Sequence, residues 1–547
     1  MAGLLALLEV YGPALRGPFV FDDMYLPFTN PAAAHEPWHA WLVGVRPLLY
    51  FSFWVNLRLS GLEPFSYHLF NVALHFINGF LAFLIVRRLL SWTGTEGSLR
   101  EILSFFAAGL FLLHPVQTES VAYVASRSET LSVMFLYAAV ALFLYRRAPA
   151  ISWSVSLGIL LLFGAAVTTK EHTAALPAVL LLTDYCFSPG SRWEGIRRNW
   201  RLYLPIAVAG VVVLRFVRSV LRLSDSAGFG LTDFSWYQYF YTQCRAIWVY
   251  IRLFFVPYGQ TLEYDTPISR TLLEHGAILG LAGLLALVVA AICYRRRYPL
   301  ASYGFFVFLL LLAPTSSLVP IADPIAERRL YLPMIGLLLV AAEFLRRLKI
   351  GRRALAGSLA GLLLIAAWLS YQRNQLWGDE IALWEDAVAN APRKVRPHFQ
   401  LAFAYFKQQR CDLAVQHYEA AAQLGKPDPL LLTDWALACD CLGQWQEAIT
   451  KLRQAASIRK TANAYSLIGY VYGKQGKRAE ALEALDTAAK LNPGYSPTYL
   501  YRGNVYFAAG ELKAAADEYW RVLRLDPHNE AARQALANVE SRLKTLR

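Results

Sequence analysis

Over the first 371 positions the chain alternates long apolar blocks with short polar interruptions. The blocks centre on residues 66–88, 101–114, 130–146, 151–169, 172–187, 201–221, 274–294, 300–320, 330–346 and 354–371. A bilayer core is crossed by about 20 apolar helical residues, so each block reads as a membrane helix. The N-terminal segment brings the expected count to about eleven. Two further stretches are mixed in character. Residues 46–60 are aromatic but include Asn56 and Arg58, and residues 236–257 include Gln238, Gln243, Arg245 and Arg252. Aromatic and basic side chains together favour headgroup level, so both stretches read as interfacial or re-entrant helices. Residues 1–10 are apolar, contain Glu9 and lack the basic leader of a signal peptide. They are too short to span, so either the first helix extends into residues 11–20 or the chain starts further upstream.

Beyond Tyr371 the pattern changes to a fixed repeat. Gly443, Gly476 and Gly510 recur 33 and 34 residues apart; Ala414, Ala448, Ala481 and Ala515 recur at 34, 33 and 34. Asn492-Pro493 and Asp526-Pro527 close successive units. Small residues let paired helices pack closely and proline ends the second helix, which is the tetratricopeptide signature. Such arrays stack into a superhelix with a concave face, which reads as a protein-binding groove or, alternatively, a spacer or dimerisation platform. Tyr465, Tyr470, Tyr472, Tyr499, Tyr501 and Tyr506 fall on first helices of their units. The expected fold is therefore all-α. A polytopic membrane helix bundle occupies residues 1–371, a junction helix 372–392, and a repeat α-solenoid of about four units 393–547.

Composition supports the membrane reading. Of 547 residues, 56% are hydrophobic, with mean hydropathy +0.34, where soluble domains average about 45–50% apolar. The net charge of +14 sits in short clusters between apolar runs, which speaks for topology rather than nucleic-acid binding. Arg87-Arg88 with Arg100, Arg146-Arg147, Arg192 to Arg201, Arg295-Arg296-Arg297 and Arg346 to Arg353 occupy alternate connections. With eleven spans all five clusters face one side, the cytoplasm. The other side then holds Asp22-Asp23, the 114–129 loop, Lys170-Glu171, residues 322–329 and the repeats. The six cysteines show no CxxC pair. Neither a disulfide framework nor a cysteine-held metal is expected.

The polar residues on the outer side carry the candidate chemistry. Asp22-Asp23 are adjacent carboxylates beside hydrocarbon, where ionisable groups mark function by default; the alternative is a solvated cap. His114, Gln117, Glu119, Arg127 and Glu129 form a loop rich in hydrogen-bonding groups, suited to holding a sugar. Glu119 and Arg127 pairing with each other is the structural alternative. Lys170-Glu171 opens a helix, where a glutamate is ordinary capping. Arg215, Arg218 and Arg222 recur on one helix face. They either snorkel to lipid phosphates or clamp the phosphate of a lipid-linked donor, because guanidinium matches phosphate bidentately. Glu327-Arg328-Arg329 with Tyr331 forms a second candidate clamp. His68, Asn71 and His75 share a helix face and read as a buried hydrogen-bonded surface rather than a metal site.

Taken in order, these residues resemble a known family. Phe21-Asp22-Asp23, Arg46-Pro47-Leu48, Tyr67-His68 with Asn71 and His75, and His114-Pro115 with Gln117, Glu119, Arg127 and Glu129 are followed by Lys170-Glu171, Asp184-Tyr185 and Glu327-Arg328 with Tyr331-Leu332-Pro333. The pattern resembles the transmembrane and tetratricopeptide-repeat-containing O-mannosyltransferases and their bacterial relatives. It departs from them in the short first segment and in Arg329, where relatives usually carry a tyrosine. The resemblance implies the GT-C fold and transfer of a sugar from a polyprenyl-phosphate donor outside the cytoplasm. It favours Asp22, with Asp23 the alternative, as the base that takes the acceptor proton. Arg215, Arg218, Arg328 and Arg127 are then candidate donor-phosphate ligands. His114, Gln117, Glu119, Glu129, Lys170 and Glu171 would position substrate. A base facing the leaving group across the sugar inverts the anomeric carbon. No cofactor or metal is required on this reading. The expected partners are a polyprenyl-phosphate sugar, an acceptor protein on the repeats and membrane lipid, with no nucleic acid. Short loops suggest a bacterial inner membrane with a periplasmic tail. A lipid or polysaccharide acceptor, and a non-enzymatic repeat scaffold for envelope assembly, remain the alternatives.

Overall fold

A computed structural model describes residues 2–30, 33, 36–187, 193–224 and 226–545. Arg192, expected at the start of one basic cluster, lies outside the described residues. The chain divides into two compact units, Met1–Asn390 and Ala391–Arg547. The described residues are helical with no strand; a single antiparallel bridge pairs Ala227 with Ile321. Helices satisfy every internal backbone group within the segment, which hydrocarbon demands.

Five helices of the first unit are long and apolar enough to cross a membrane: Pro64–Trp92, Val124–Leu144, Trp200–Leu223, Glu274–Cys293 and Arg352–Trp377. Gly97–Leu113 and Pro115–Ala122 pass together as a sixth, bent by 49°. Gly3–Leu15, Trp153–Thr169, Pro299–Leu312 and Met334–Leu345 are apolar but shorter. Of the two mixed stretches, one forms the helix Pro47–Ser60 and the other a 20-residue helix, Trp236–Phe255. The helices Val124–Leu144 and Pro64–Trp92 lie deep in the bundle. Trp200–Leu223 and Glu274–Cys293 are only 11% and 6% buried over their apolar windows and present their sides outward. The core packs Leu7, Tyr11, Val86, Phe111, Leu136 and Leu338. Gly304 and Gly336 bring two helices into backbone contact: a Cβ on either would lie about 2.5 Å from the other's carbonyl oxygen.

Hydrogen bonds gather the basic clusters at one end of this unit. Arg88 donates to the Leu144 carbonyl, Arg346 to that of Thr93, Arg347 to that of Arg297, and Arg352 to Ser98. Arg146 pairs with Asp184, which also accepts from Asn199. The Arg127–Leu144 helix has 18 residues, so it sets this end about 27 Å from the polar 114–129 region.

The second unit is four helix pairs and a final helix. The pairs are Val395–Lys407 with Cys411–Leu424, Pro429–Cys441 with Trp445–Ile458, Ala462–Lys474 with Arg478–Leu491, and Ser496–Ala508 with Leu512–Leu525. Ala414, Ala448, Ala481 and Ala515 are all fully buried, as close helix packing requires. Gly443, Gly476 and Gly510 turn between the helices with φ of +71°, +72° and +77°. The first repeat makes the same turn at Gln409, φ +61°, which is why the glycine series begins one unit late. One expectation is corrected here. Cys411 and Cys441 form a disulfide, Cα atoms 6.2 Å apart. They lie 30 residues apart in sequence, but stacking sets the start of one helix beside the end of the helix packed against it.

Candidate active site

The two adjacent aspartates have different fates. The turn Phe21–Tyr25 is a short 3-10 helix that Phe21 enters with φ +53°, a left-handed conformation rarely adopted by a bulky residue. Asp23 turns inward and is fully buried. Its carboxylate accepts from Val20 N at 3.1 Å and Ala125 N at 2.7 Å. Burial pushes its pKa up to about 8, against those two N–H donors. Asp23 therefore fastens the N-terminal turn to the 124–126 turn. Asp22 is exposed beside it, and its N–H donates to the Tyr123 hydroxyl at 3.0 Å. Tyr123 stacks between Phe21 and Trp377, ring centroids 6.2 and 5.8 Å away. Burial and the nearby Asp23 and Asp22 charges raise its phenol well above the usual range. Gly17 helps to close this corner, since a Cβ there would lie 2.4 Å from the Trp377 carbonyl oxygen.

Three ion pairs bring together distant parts of the sequence, and one of them, through Arg328, acts electrostatically on Tyr123. Arg328 donates to Glu119 twice, from its backbone N at 3.0 Å and from Nη1 at 2.5 Å, and its guanidinium is 23% exposed. Lys170 Nζ lies 2.5 Å from Glu129 Oε1, and His172 Nε2 3.3 Å from Oε2 of the same carboxylate. Arg46 grips Glu171 with two parallel bonds of 3.0 Å. Burial works against the charge on Arg328, but Glu119, Tyr123 and Asp323 outweigh it and its pKa rises. Burial opposes ionised Glu171 too, yet Arg46 holds its carboxyl below the usual range. Burial lowers Lys170 despite its pairing with Glu129. Arg328 and Arg46 both act electrostatically on Lys170, so the three pairs form one charged cluster. Glu327 lies beneath it, accepting from Gln260 at 2.6 Å, Thr261 N at 2.8 Å and Tyr264 at 2.7 Å. Burial pushes its carboxyl up to about 7.

Several expected site residues go elsewhere. Arg127 is fully buried and does not pair with Glu119. Its guanidinium donates to Asn71 Oδ1, Asn56 Oδ1 and the carbonyls of Ser52 and Tyr67, at 2.7–3.2 Å, and lies 4.4 and 4.5 Å from the Phe53 and Phe70 rings. It holds two helices together and, fully buried, has no surface open to a substrate. His114 caps the 115–117 turn, Nδ1 accepting from Val116 N, while Nε2 meets the Phe254 carbonyl at 3.0 Å. Gln117 is buried against Met334. Both therefore shape the bend rather than line the cluster. Arg329 is clamped by Tyr239 and the carbonyls of Pro324 and Asp323, leaving Arg328 alone to face the cluster. Arg215, Arg218 and Arg222 stand exposed on their helix; Arg218 and Arg222 rim an apolar groove with Leu221, Phe229 and Val319. His68 and His75 are buried and bonded to the Gly17 carbonyl and to Tyr331. Arg46, Tyr123 and His172 are cluster members absent from the expected site set. Arg46 carries only the Arg-Pro-Leu signal, and its partner lies 125 residues away. Among the described residues, no three His, Cys, Asp or Glu side chains gather as a metal site.

The chain is thus a helical membrane protein with a charge-paired polar cluster at one end of its bundle and a tetratricopeptide array. The tetratricopeptide-repeat family model matches residues 466–530. Among curated proteins it is similar to protein O-mannosyl-transferase F38B6.6 of Caenorhabditis elegans, 23% identical over 72% of this chain and 57% of that protein. It is also similar to protein O-mannosyl-transferase TMTC3 of Mus musculus, 23% identical over 91% of this chain and 59% of that protein. The chain spans little more than half the length of these relatives. The crystal structure of MamA aligns with 27% of this chain and 86% of its own, at 21% identity and a TM-score of 0.25. The chain is a relative of the transmembrane, tetratricopeptide-repeat-containing O-mannosyl-transferases.

Proposed function

We propose that this protein transfers a sugar, mannose by its relatives' names, from a polyprenyl-phosphate donor to Ser or Thr hydroxyls of an extracytoplasmic protein. One observation carries the reading: Tyr123, whose hydroxyl accepts from the N–H of exposed Asp22, feels the charges of both Asp22 and Arg328, at the end of the bundle away from the basic connections. By the positive-inside rule those connections are cytoplasmic and the cluster is outside. The Cys411–Cys441 disulfide supports an oxidising, extracytoplasmic compartment for the repeats, because disulfides persist there.

The Asp22 carboxylate takes the proton of the acceptor hydroxyl as its oxygen attacks the anomeric carbon. The carbon–oxygen bond to phosphate breaks and the electron pair leaves with polyprenyl phosphate. Arg328, held and partly exposed by Glu119, offsets the charge that develops there. Attack opposite the leaving group inverts the anomeric centre, the geometry inverting glycosidases also use. Lys170 with Glu129 and Arg46 with Glu171 fix the walls around the sugar. The repeats present the acceptor.

The test uses purified full-length protein, a synthetic polyprenyl-phosphate mannose and a Ser/Thr peptide pool. Mannosylated peptide that disappears in Arg328→Gln supports the reading. Transfer to lipid or glycan alone would move the acceptor class. No transfer from any polyprenyl-phosphate sugar, with a protein partner still held by the repeats, would favour the scaffold.

A further inference from the structure

A second cationic site lies at the other end of the bundle, where the basic connections gather. A cavity of about 330 Å³ is lined by Arg88, Arg146, Arg147 and Arg198, with Asp184 and Trp92 among its other walls. Four guanidinium groups thus face one carboxylate, and that carboxylate is engaged. Asp184 accepts from Arg146 Nη2 at 3.0 Å, Asn199 Nδ2 at 2.6 Å and the Tyr203 hydroxyl at 2.7 Å. Arg88 spends its Nε on the Leu144 carbonyl, and Arg146 its Nη1 on that of Phe143. Among the described residues, Arg198 Nε and Nη2 and Arg146 Nε are buried from solvent with no hydrogen-bond partner.

Buried donors without acceptors are rare and destabilising, more so when charged. A ligand supplying several anionic oxygens at one point removes that cost. Phosphate does so in the planar geometry guanidinium matches. Trp92, Leu144 and Phe187 give the same cavity an apolar side. Basic pockets between membrane helices at this level accept lipid headgroups.

We propose that this cavity binds a phosphate group, with the headgroup of an anionic phospholipid as its occupant. It is separate from the candidate active site and puts Asp184, which the sugar-transfer reading leaves unused, into a role. Asp184 holds Arg146 in place and leaves the other guanidinium groups for the ligand.

The test is native mass spectrometry with thermal unfolding of the full chain in detergent. The probes are phosphatidylglycerol, phosphatidylcholine with the same acyl chains, and inorganic pyrophosphate. Wild type is expected to retain phosphatidylglycerol and gain stability from it, and to do neither with phosphatidylcholine. Arg198→Gln and Arg147→Gln should each weaken retention about tenfold, the worth of one charge-assisted bond. Arg147 is exposed, so its variant keeps the test open if Arg198→Gln does not fold. Arg295→Gln, an exposed cation of the same end, should change nothing. Stabilisation by pyrophosphate but not by phosphatidylglycerol would keep the phosphate site and replace its occupant with a soluble one. Equal weakening by Arg295→Gln, or no retention of either probe, would overturn the proposal.

Discussion

Arg127→Ala separates a structural arginine from a substrate-binding one. The guanidinium is fully buried and satisfies four acceptors, on Asn71, Asn56, Ser52 and Tyr67, none of them a carboxylate. Each loses its partner in the variant, and a net hydrogen bond is worth about 1 kcal/mol. The two Phe rings lose a buried cation–π partner worth up to about 2 kcal/mol between them. The expected destabilisation is about 4–6 kcal/mol, far above the roughly 1 kcal/mol typical of point mutants. For a helical unit of this size that lowers Tm by about 5–10 °C. The assay is thermal unfolding of the full chain in detergent, followed by size-exclusion of the surviving monodisperse fraction. Arg127→Ala should fall sharply, and Arg328→Gln by much less, because Arg328 is partly exposed. An Arg127→Ala protein with wild-type Tm that no longer binds polyprenyl phosphate would refute the structural assignment.

Further predictions concern the buried carboxylate, the bidentate pair and the disulfide. Asp23 has a folded pKa of about 8 against 3.8 in the unfolded chain. Its contribution to stability is therefore fully present below about pH 4 and is lost as pH rises through about 8. Tm should fall from pH 5 to pH 9, and Asp23→Asn should flatten that slope; an unchanged slope would contradict the assignment. Removing Arg46 and Glu171 singly and together should give a coupling energy of about 1–3 kcal/mol in a double-mutant cycle, and additive losses would deny the pair. Cys411→Ser should destabilise the repeats by about 2–4 kcal/mol, and a non-reducing peptide map should show Cys411 linked to Cys441. Free thiols at both positions would contradict the bridge.

How much of this was legible in the sequence depends on the range of the interaction. The repeats were readable because each unit repeats its neighbour's local contacts: Ala414, Ala448, Ala481 and Ala515 are all fully buried. Most apolar blocks became helices because hydrocarbon leaves a backbone no other partner. Pairings at the site were not readable. Glu119 and Arg127 lie eight residues apart and looked like partners, but Glu119 meets Arg328 across 209 residues. Arg127 instead turns into a nest of neutral oxygens from helices that sequence spacing does not connect. Asp22 and Asp23 are identical in type, and only the 124–126 turn, whose N–H binds Asp23, separates them. The disulfide is not legible in the sequence because superhelical stacking, not a local motif, brings Cys411 and Cys441 together.

On the proposed function, Asp22, and not its buried neighbour Asp23, is the base of a polyprenyl-phosphate sugar transfer. The most direct measurement compares mannosyl transfer by Asp22→Asn, Asp23→Asn and wild type, each normalised to folded protein by Tm and monodispersity. General-base removal costs about 10²–10⁴-fold, so Asp22→Asn should lose turnover on that scale at a wild-type Tm. Asp23→Asn should keep the turnover of whatever fraction stays folded. A folded Asp22→Asn protein with wild-type turnover would contradict the account.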